Sequence, residues 1–460
     1  MQRRVIFAAM AIVCLATAHA AEPPPGREGE DWPAFLGPRG SGVSGETGLL
    51  HEWPAGGPPV LWRKKVGEGY AAPAVLGDRL VFFHRIGDEE VVECFAATTG
   101  AALWRFAYPT SFTDPYGYNG GPRSSPVLAG NRCFTFGAAG ILSCIDLATG
   151  GLIWQRDTNK EFAVPQAFFG VGSTPLVDGD RLLVIIGGHP RSGVVAFDTA
   201  TGKTLWQAVG PDDFPEAPIR IQRDRPPVKL AAYASPVIAT IHGQRHLLCL
   251  MRPGLVSLDP ENGAIRFTAW FRSHLHDSVN AAQPVAIGSK VFLTAAYDTG
   301  AMMLDVAPDG RRAEVAWKDE DAMQSHWSTA IAHDGFLYGF SGRHEANTDL
   351  RCIRVSDGSL VWQAFGPEGG AGSYGRGSAI LADGRLIVMS ERGAVALVER
   401  LHERFREISR FTLPEFEYPC WTAPVLSRKR LFVTGCRSRP APGGMSASEY
   451  HLVCLDLAAR

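Results

Sequence analysis

One pattern occurs eight times along the chain. A small residue, in most copies followed by a proline, leads into an apolar run, a turn and a second apolar run. Clear copies are AAPAVLGDRLVFF from Ala71, STPLVDGDRLLVI from Ser173 and TAPVLSRKRLFVT from Thr422. The others begin at Ser124, Ala234, Ala282, Ser328 and Gly377. Two apolar runs around a tight turn are typical of a β-hairpin, and these hairpins recur every 45 to 61 residues. The spacing predicts a β-propeller with one hairpin in each blade.

A second repeated phrase follows each hairpin and ends on an aromatic residue. ECFAATTGAALW ends at Trp104, SCIDLATGGLIW at Trp154 and AFDTATGKTLW at Trp206. Further copies end at Phe267, Trp317 and Trp362, and an irregular one spans residues 406–413. Glycine supplies the positive φ that a tight turn needs, so each phrase predicts two strands. Each blade therefore has four antiparallel strands.

The two ends of the chain complement each other. Residues 450–460 (YHLVCLDLAAR) lack a returning strand, and residues 58–67 (PPVLWRKKVG) supply one that has no hairpin before it. Pairing the two segments would close the ring and leave no open sheet edge. We therefore predict an all-β, eight-bladed propeller over residues 58–460, preceded by an extended segment at 21–57. Seven blades remain the alternative, because the copies at residues 303–317 and 406–413 are irregular.

The first twenty residues predict export. Arg3 and Arg4 precede an apolar stretch, and Ala18 and Ala20 occupy the positions that a signal peptidase recognises. We expect residues 1–20 to be a cleaved signal peptide and the product to be periplasmic or secreted, with an uncleaved anchor as the alternative. No other stretch approaches the ~18 apolar residues of a membrane helix. The formal net charge of −2 gives no reason to expect nucleic acid as a partner.

Eight of the nine cysteines would remain after cleavage, in an oxidising compartment. Four of them occupy the same place in the repeat, where other copies carry Ala196 and Ser257: Cys94, Cys144, Cys352 and Cys454. A slot shared with alanine and serine indicates a small buried side chain rather than a reactive thiol. Cys420 and Cys436 fall at the open end of one hairpin and form the best candidate disulfide, with free thiols as the alternative.

These repeats resemble a known family. The phrase A-x-D-x-x-T-G-x-x-x-W is similar to the tryptophan-docking repeat of quinoprotein alcohol dehydrogenases and of the propeller subunit of the outer-membrane β-barrel assembly machinery. The opening DWPAFLGPRGSGVSGETGLL, from Asp31, looks like that of bacterial secreted PQQ-like propeller proteins. The resemblance implies a structural docking role for the repeat tryptophans, which are Trp62, Trp104, Trp154, Trp206, Trp317 and Trp362.

The loops that lead into the inner strands are rich in aromatic, amide and charged residues. In a propeller these loops converge on one face, where they could form a concave site for a ligand or a peptide. The candidate binding residues are Tyr118, Asn119, Arg123, Phe169, Tyr233, Asp277, Asn280, His326, Trp327, Tyr374, Arg376 and Trp421. The alternative is that these aromatics cap the core and the arginines pair with local carbonyls.

Two function classes compete. The resemblance to quinoprotein dehydrogenases would imply PQQ with calcium, an aspartate base and adjacent cysteines, but the chain has no adjacent cysteine pair. Its repeated aspartates precede the glycine turns, as turn-capping residues do: Asp146, Asp198, Asp259, Asp305 and Asp456. No metal-ligand cluster is visible beyond His274 and His276. We therefore expect a monomeric, non-catalytic scaffold, without cofactor or metal, that binds a protein or cell-envelope ligand. A PQQ-dependent alcohol dehydrogenase or another oxidoreductase is the alternative.

Overall fold

The computed structural model describes residues 27–165, 169–214, 229–231, 233–275, 278–344, 348–364, 374–400, 402–440 and 446–459. The predicted signal peptide, residues 1–20, lies outside these ranges. Within them, no helix has both the length and the apolar character that crossing a bilayer requires. Nearly all regular structure is β, apart from a short helix α1 at Thr158–Glu161 and a 3₁₀ turn at Pro211–Asp213.

The strands form eight separate four-stranded sheets, which are the blades. Strand β1, Val60–Val66, comes first along the chain. Blade 1 contains β2 (Ala74–Leu76), β3 (Arg79–Ile86), β4 (Glu89–Ala96) and β5 (Ala102–Pro109). Blade 2 contains β6 (Val127–Ala129), β7 (Arg132–Phe136), β8 (Ile141–Asp146) and β9 (Leu152–Asp157). Blade 3 contains β10 (Leu176–Asp178), β11 (Arg181–Gly188), β12 (Ser192–Asp198) and β13 (Thr204–Ala208). Blade 4 contains β14 (Val237–Ile241), β15 (Gln244–Leu250), β16 (Gly254–Leu258) and β17 (Ile265–Trp270).

The second half of the ring repeats the same arrangement. Blade 5 contains β18 (Val285–Ile287), β19 (Lys290–Ala295), β20 (Gly300–Val306) and β21 (Ala313–Asp319). Blade 6 contains β22 (Ile331–His333), β23 (Phe336–Ser341), β24 (Asp349–Arg354) and β25 (Leu360–Ala364). Blade 7 contains β26 (Ser378–Ala382), β27 (Arg385–Met389), β28 (Ala394–Glu399) and β29 (Glu407–Thr412). Blade 8 combines β30 (Val425–Ser427), β31 (Arg430–Pro440) and β32 (Ser446–Asp456) with β1.

This topology confirms the predicted eight-bladed ring and its closure. Strand β1 pairs antiparallel with β32, with Trp62 opposite Cys454 and Val66 opposite Tyr450. The first and last strands of the domain thus share one sheet, so neither strand is left unpaired. Irregular spacing in the two degenerate repeats does not remove a blade, so the seven-bladed alternative is wrong.

Each blade runs from a short inner strand at the axis to a half-exposed outer strand. The inner strands of neighbouring blades contact each other, as β2 does with β6 and β22 with β26. We call the face where the inner strands begin the crown, and the face where they end the underside. Because strand direction alternates, the connectors between blades and the turns between second and third strands all lie on the crown.

Neighbouring blades are joined by a tryptophan packed on a glycine turn. Trp104, on the outer strand of blade 1, covers Gly150 of blade 2, where an added Cβ would lie 2.8 Å from the indole. The Trp104 Nε1–H also donates to the Leu147 carbonyl at 2.9 Å. The same packing joins Trp62 to Gly100, Trp154 to Gly202, Trp206 to Gly263 and Trp317 to Gly358. Trp362 instead packs against Phe405, with ring centroids 5.7 Å apart, where blade 7 carries its irregular repeat.

The repeated cysteines lie across the sheet from these tryptophans. Cys94 is opposite Trp104, Cys144 opposite Trp154 and Cys454 opposite Trp62, and all three thiols are fully buried. Small residues fill this slot in most blades, but blade 5 places the larger Met303 there, opposite Trp317. Burial raises the pKa of the Cys94 thiol to about 12, so it stays protonated and unreactive.

The proposed disulfide between Cys420 and Cys436 is not formed in the structure, where both thiols are buried and free. Cys420 Sγ donates to the Glu417 carbonyl at 3.0 Å, and Cys436 Sγ lies 3.6 Å from the Pro419 carbonyl. Each sulfur is therefore directed at a backbone oxygen of the preceding turn. Both side chains serve here as small core residues at the crown end of blade 8.

The segment before β1 crosses the underside and joins both sides of the closing blade. Trp32 exchanges backbone hydrogen bonds with Val75 on the inner strand of blade 1. Val43 bridges to Leu381 on the inner strand of blade 7. Glu46 accepts hydrogen bonds of 2.6 Å from two backbone amides of blade 8, those of Arg428 and Lys429. The segment therefore ties together blades that lie at opposite ends of the sequence.

Trp32 supplies the apolar part of this attachment, since only 1% of its surface is exposed. We expect Trp32→Ala to lower the free energy of unfolding by about 3–5 kcal/mol, because it removes a large buried ring and leaves a cavity. Leu103→Ala is the control, since Leu103 is 47% exposed on an outer strand and should change stability by less than about 0.5 kcal/mol. Guanidinium denaturation measures both variants. Equal stability of the two would show that the segment does not hold the ring.

Candidate binding site on the crown

The centre of the crown carries a continuous set of aromatic rings from separate blades. Phe169 contacts Tyr118 with centroids 6.1 Å apart, Tyr118 contacts Trp421 at 5.3 Å, and Trp421 contacts Trp327 at 5.0 Å. These four rings come from the connectors that lead into blades 3, 2, 8 and 6. Tyr116 and Tyr418 extend the set through contacts with Phe169 and Trp421. We call these six residues the aromatic platform.

A buried carboxylate, Glu391, fixes the middle of the platform. It lies in the turn between β27 and β28, and none of its side chain is exposed. Its Oε1 accepts hydrogen bonds of 2.7 Å from Arg376 Nε and from Trp421 Nε1. The Arg376 guanidinium lies over Trp327 and Trp421, 4.9 and 5.1 Å from their ring centroids. Burial disfavours the charge on Arg376, but the hydrogen bond and charge of Glu391, together with Tyr418, outweigh burial and raise the pKa of the guanidinium.

A second ion pair supports the platform from blade 2. Arg123 Nη2 lies 2.5 Å from Asp114 Oδ2, and the Asp114 side chain is completely buried. The guanidinium also lies 5.7 Å from the Tyr70 ring, which in turn contacts Trp421 at 5.1 Å. Burial lowers the pKa of Arg123, and the negative charge of Asp114 opposes this shift. Both arginines of the crown centre thus have a dedicated carboxylate partner.

His326 lies at the blade 6 end of the platform and is uncharged. Its Nε2 lies 2.9 Å from the Tyr297 hydroxyl, and its ring is 4.6 Å from that of Trp327. Burial, followed by the positive charges of Arg376 and Arg343, lowers the pKa of His326 to about 3. The imidazole is therefore neutral at physiological pH and acts as a further flat ring beside Trp327.

Several predicted residues support the crown without joining the platform. Tyr233 contacts the Phe169 ring at 5.5 Å, and its hydroxyl accepts the Phe169 amide at 2.9 Å. Asn119 donates to the Tyr450 hydroxyl at 3.2 Å. Asn280 is buried and donates to the Met251 and Phe271 carbonyls, which anchors its connector to the turn between β15 and β16.

One further predicted residue does not contribute to this surface. Tyr374 has no exposed surface, packs on Phe405 and donates its hydroxyl to Glu407, so it belongs to the core of blade 7. Asp277 lies outside the described residues. Sequence reasoning missed Tyr116 and Tyr418, although both stand within three residues of predicted ones. It also missed Glu391, which shares the short turn at residues 390–393 with a second charged residue and carries no local signal of its role.

The buried carboxylates of the crown already have partners within the protein. Within the part of the chain that the structure describes, no three His, Cys, Asp or Glu side chains come close enough together to hold a metal. The buried crown carboxylates Glu391 and Asp114 are already neutralised by arginine. A third, Glu90, is enclosed by the Tyr108 hydroxyl and the Ala138 amide at 2.7 and 2.8 Å. The aromatic rings themselves occupy the crown centre, where they contact each other directly.

The fold and the crown define a closed propeller with an aromatic surface on one face. The family model described as outer membrane protein assembly factor BamB, a PQQ-repeat family, matches residues 87–364 and again residues 193–412. These matches span well over half of the chain, which therefore belongs to this family. A search among curated proteins gave no match.

Solved structures show the same fold at low sequence identity. BamB from Moraxella catarrhalis superposes with a TM-score of 0.56 at 16% identity, over 86% of this chain and 97% of that one. Quinohemoprotein alcohol dehydrogenase from Comamonas testosteroni gives 0.60 at 11% identity, over 92% and 80%. A europium-containing methanol dehydrogenase gives 0.54 at 12%, over 94% and 98%. An assembly factor and dehydrogenases thus share this architecture, and the fold alone does not choose between these functions.

The ion pair of Glu391 gives a stability prediction. Glu391→Gln leaves the buried Arg376 charge uncompensated, so we expect the free energy of unfolding to fall by about 3 kcal/mol. The matched control is Glu89→Gln, because the Glu89 to Arg105 pair is 48% and 46% exposed. Such a surface pair contributes about 0–1 kcal/mol. Urea denaturation of both variants tests the difference, and equal losses would contradict the role of Glu391.

The low pKa of His326 gives a pH prediction. Its folded value of about 3 lies below the ordinary 6.5, so its contribution to stability is complete above pH 6.5 and is lost as the pH falls toward 3. Wild-type protein should therefore lose more stability than His326→Asn between pH 7 and pH 4.5, as followed by denaturation midpoints. Nitrogen-15 NMR should also show a neutral ring at pH 5. Parallel losses and a charged ring at pH 5 would contradict the assigned environment.

Proposed function

We propose that this protein is an exported, non-catalytic propeller that binds a protein or a cell-envelope ligand through the aromatic platform. The carrying observation is that rings from four connectors are held in one surface by the buried Glu391. Tryptophan, tyrosine and arginine are the residues that dominate binding energy in interfaces. A site built from side chains that are already fixed loses little conformational entropy when it binds.

The exposure of the platform supports this proposal. Tyr116 is 51% exposed, Tyr118 43% and Tyr418 40%, whereas most large apolar side chains of the blades are buried. Trp327 and Trp421 lie between them and are half-buried. A half-exposed aromatic surface on a rigid ring suits contact with a partner better than enclosure of a small substrate.

The absence of a free base near the platform also favours binding over catalysis among the described residues. A general base needs a carboxylate or imidazole within hydrogen-bond reach of a substrate. Glu391 and Asp114 hold arginines, and the Nε2 atom of His326 is hydrogen-bonded to the Tyr297 hydroxyl. The repeated aspartates are used in turns: Asp146 Oδ1 accepts the Ala148 and Thr149 amides at 3.0 and 2.8 Å.

The sequence supports export, and analogy with a structural neighbour supports the kind of partner. The predicted signal peptide at residues 1–20 supports a periplasmic or secreted location. The structural neighbour BamB carries the name of an outer membrane protein assembly factor. By that analogy we propose an envelope partner, bound by a monomer of this chain.

A titration with PQQ separates the proposal from its alternative. We expect calorimetry of the purified protein to show no saturable PQQ binding with or without Ca²⁺, and no dye-linked oxidation of alcohols, because the described crown offers neither metal ligands nor a free base. Saturable binding accompanied by turnover would contradict the non-catalytic proposal.

Capture from an envelope extract tests the platform directly. Immobilised wild-type protein should retain a specific partner that Trp421→Ala loses, since the substitution removes the central ring. Leu205→Ala is the control, because Leu205 is 49% exposed on the outer strand β13, away from the crown. Equal capture by all three proteins would rule out the platform as the binding site.

A further inference from the structure

We propose that His84 forms an acid-sensitive link between the closing strand of the ring and blade 1. The link is the hydrogen bond between Gly67, which directly follows β1, and the His84 side chain on β3. It is present while the imidazole is neutral and is lost when the imidazole takes up a proton. This device is a property of the ring itself and does not depend on what the crown binds.

His84 lies at the junction of the first and last blades. Its ring is fully buried and lies 5.2 Å from that of Phe82, two residues earlier on the same face of β3. Phe82 belongs to the buried cluster that also contains Trp62 of β1. Gly67 approaches this closely because it has no side chain, since an added Cβ would lie 2.0 Å from the Arg85 carbonyl oxygen. The imidazole therefore contacts the chain where it passes from blade 8 to blade 1.

The hydrogen bonds indicate which nitrogen of His84 carries the proton. The Gly67 amide donates to Nδ1 at 2.6 Å, so Nδ1 is unprotonated. The ring is then neutral, with its proton on Nε2, which lies 3.0 Å from Glu93 Oε2. A second proton can enter only at Nδ1, where its N–H would face the N–H of Gly67. Two donors cannot share a hydrogen bond, so protonation of His84 breaks the link.

Glu93 supplies the negative charge that favours protonation of His84. The contact with His84 lowers the pKa of Glu93, and burial opposes this shift. The charges of Arg105, which lies opposite Glu93 on β5, and of Lys64 lower it further. The carboxylate therefore stays ionised over the range between about pH 5 and 8 in which histidines titrate. It stabilises the imidazolium, and the positive charges of Lys64 and Arg105 partly offset this effect.

The remaining charges near His84 are paired with each other. Arg85 is the next residue on β3, so its side chain lies on the opposite face of the sheet. Its guanidinium lies 3.6 Å from Asp88 and 3.9 Å from Glu68. These three groups compensate one another, which leaves Glu93 as the carboxylate that contacts the imidazole.

The segment that follows Gly67 also supports part of the crown. Glu68 exchanges backbone hydrogen bonds of 2.9 and 2.8 Å with Arg85. The Glu68 Oε1 atom accepts the Gly120 amide at 3.2 Å. Gly120 lies in the connector that supplies Tyr118 to the platform. Loss of the link at Gly67 thus weakens the attachment of this connector, and acid loosens the platform from the side of blade 2.

Hydrogen exchange of the Gly67 amide in the full chain tests the inference. Exchange is measured at pH 7.5 and pH 5.0 and corrected for its intrinsic pH dependence. We expect protection of the wild-type amide to fall about tenfold at pH 5.0, because one hydrogen bond is lost. His84→Asn should be equally protected at both pH values, since its side-chain oxygen can accept in place of Nδ1 but takes up no proton. Glu93→Gln should also keep its protection at pH 5.0, because the imidazolium has lost its counter-charge.

The Val75 amide, which donates to the Trp32 carbonyl at 2.8 Å on the underside, reports any general loosening of the ring. Unchanged protection of Gly67 in the wild type, or an equal loss in His84→Asn, would overturn the inference. A parallel loss at Val75 would overturn it in favour of general acid unfolding. If His84→Asn does not fold, Glu93→Gln decides, and a loss equal to that of the wild type would contradict the link. None of these measurements involves a partner, so their failure leaves the proposed function standing.

Discussion

The packing of an outer-strand tryptophan onto the glycine turn of the next blade is the contact on which this structure depends. At Gly150 the backbone adopts a φ of +77°, and the Trp104 indole fills the space that any side chain would need. The indole also binds a carbonyl of the same turn, which fixes the angle between the blades. Repeated around the ring, this contact decides where the connectors emerge, and so places aromatic residues from distant blades side by side on the crown.

A ring built from such contacts still has to close, and two different interactions achieve this. The pairing of β1 with β32 completes blade 8 from both ends of the domain. The segment before β1 then runs beneath blades 1, 7 and 8, anchored by Trp32, Val43 and Glu46. An open propeller would expose strand edges, and its connectors could change their positions relative to one another. Closure on the underside therefore keeps the platform residues together on the crown.

The fold could be predicted because its signals are local and repeated. Each turn, each apolar run and each closing tryptophan such as Trp154 lies within one short phrase of sequence. The location of the candidate site was predictable in part, because position before an inner strand places Trp421 and Tyr118 on the crown but does not show which of their neighbours are exposed. Tyr374 has the same sequence position and is buried by Phe405. Glu391 contacts residues fifteen and thirty positions away, and no local pattern encodes such a contact.

The central claim is that a partner binds to the crown, and not to the outer strands or the underside. Site-specific photo-cross-linking in intact cells tests it most directly, with p-benzoylphenylalanine placed at position 118 on the platform, 205 on an outer strand or 51 on the underside. The account predicts a discrete cross-linked species from position 118 alone. A species from position 205 or 51, with none from 118, would contradict it.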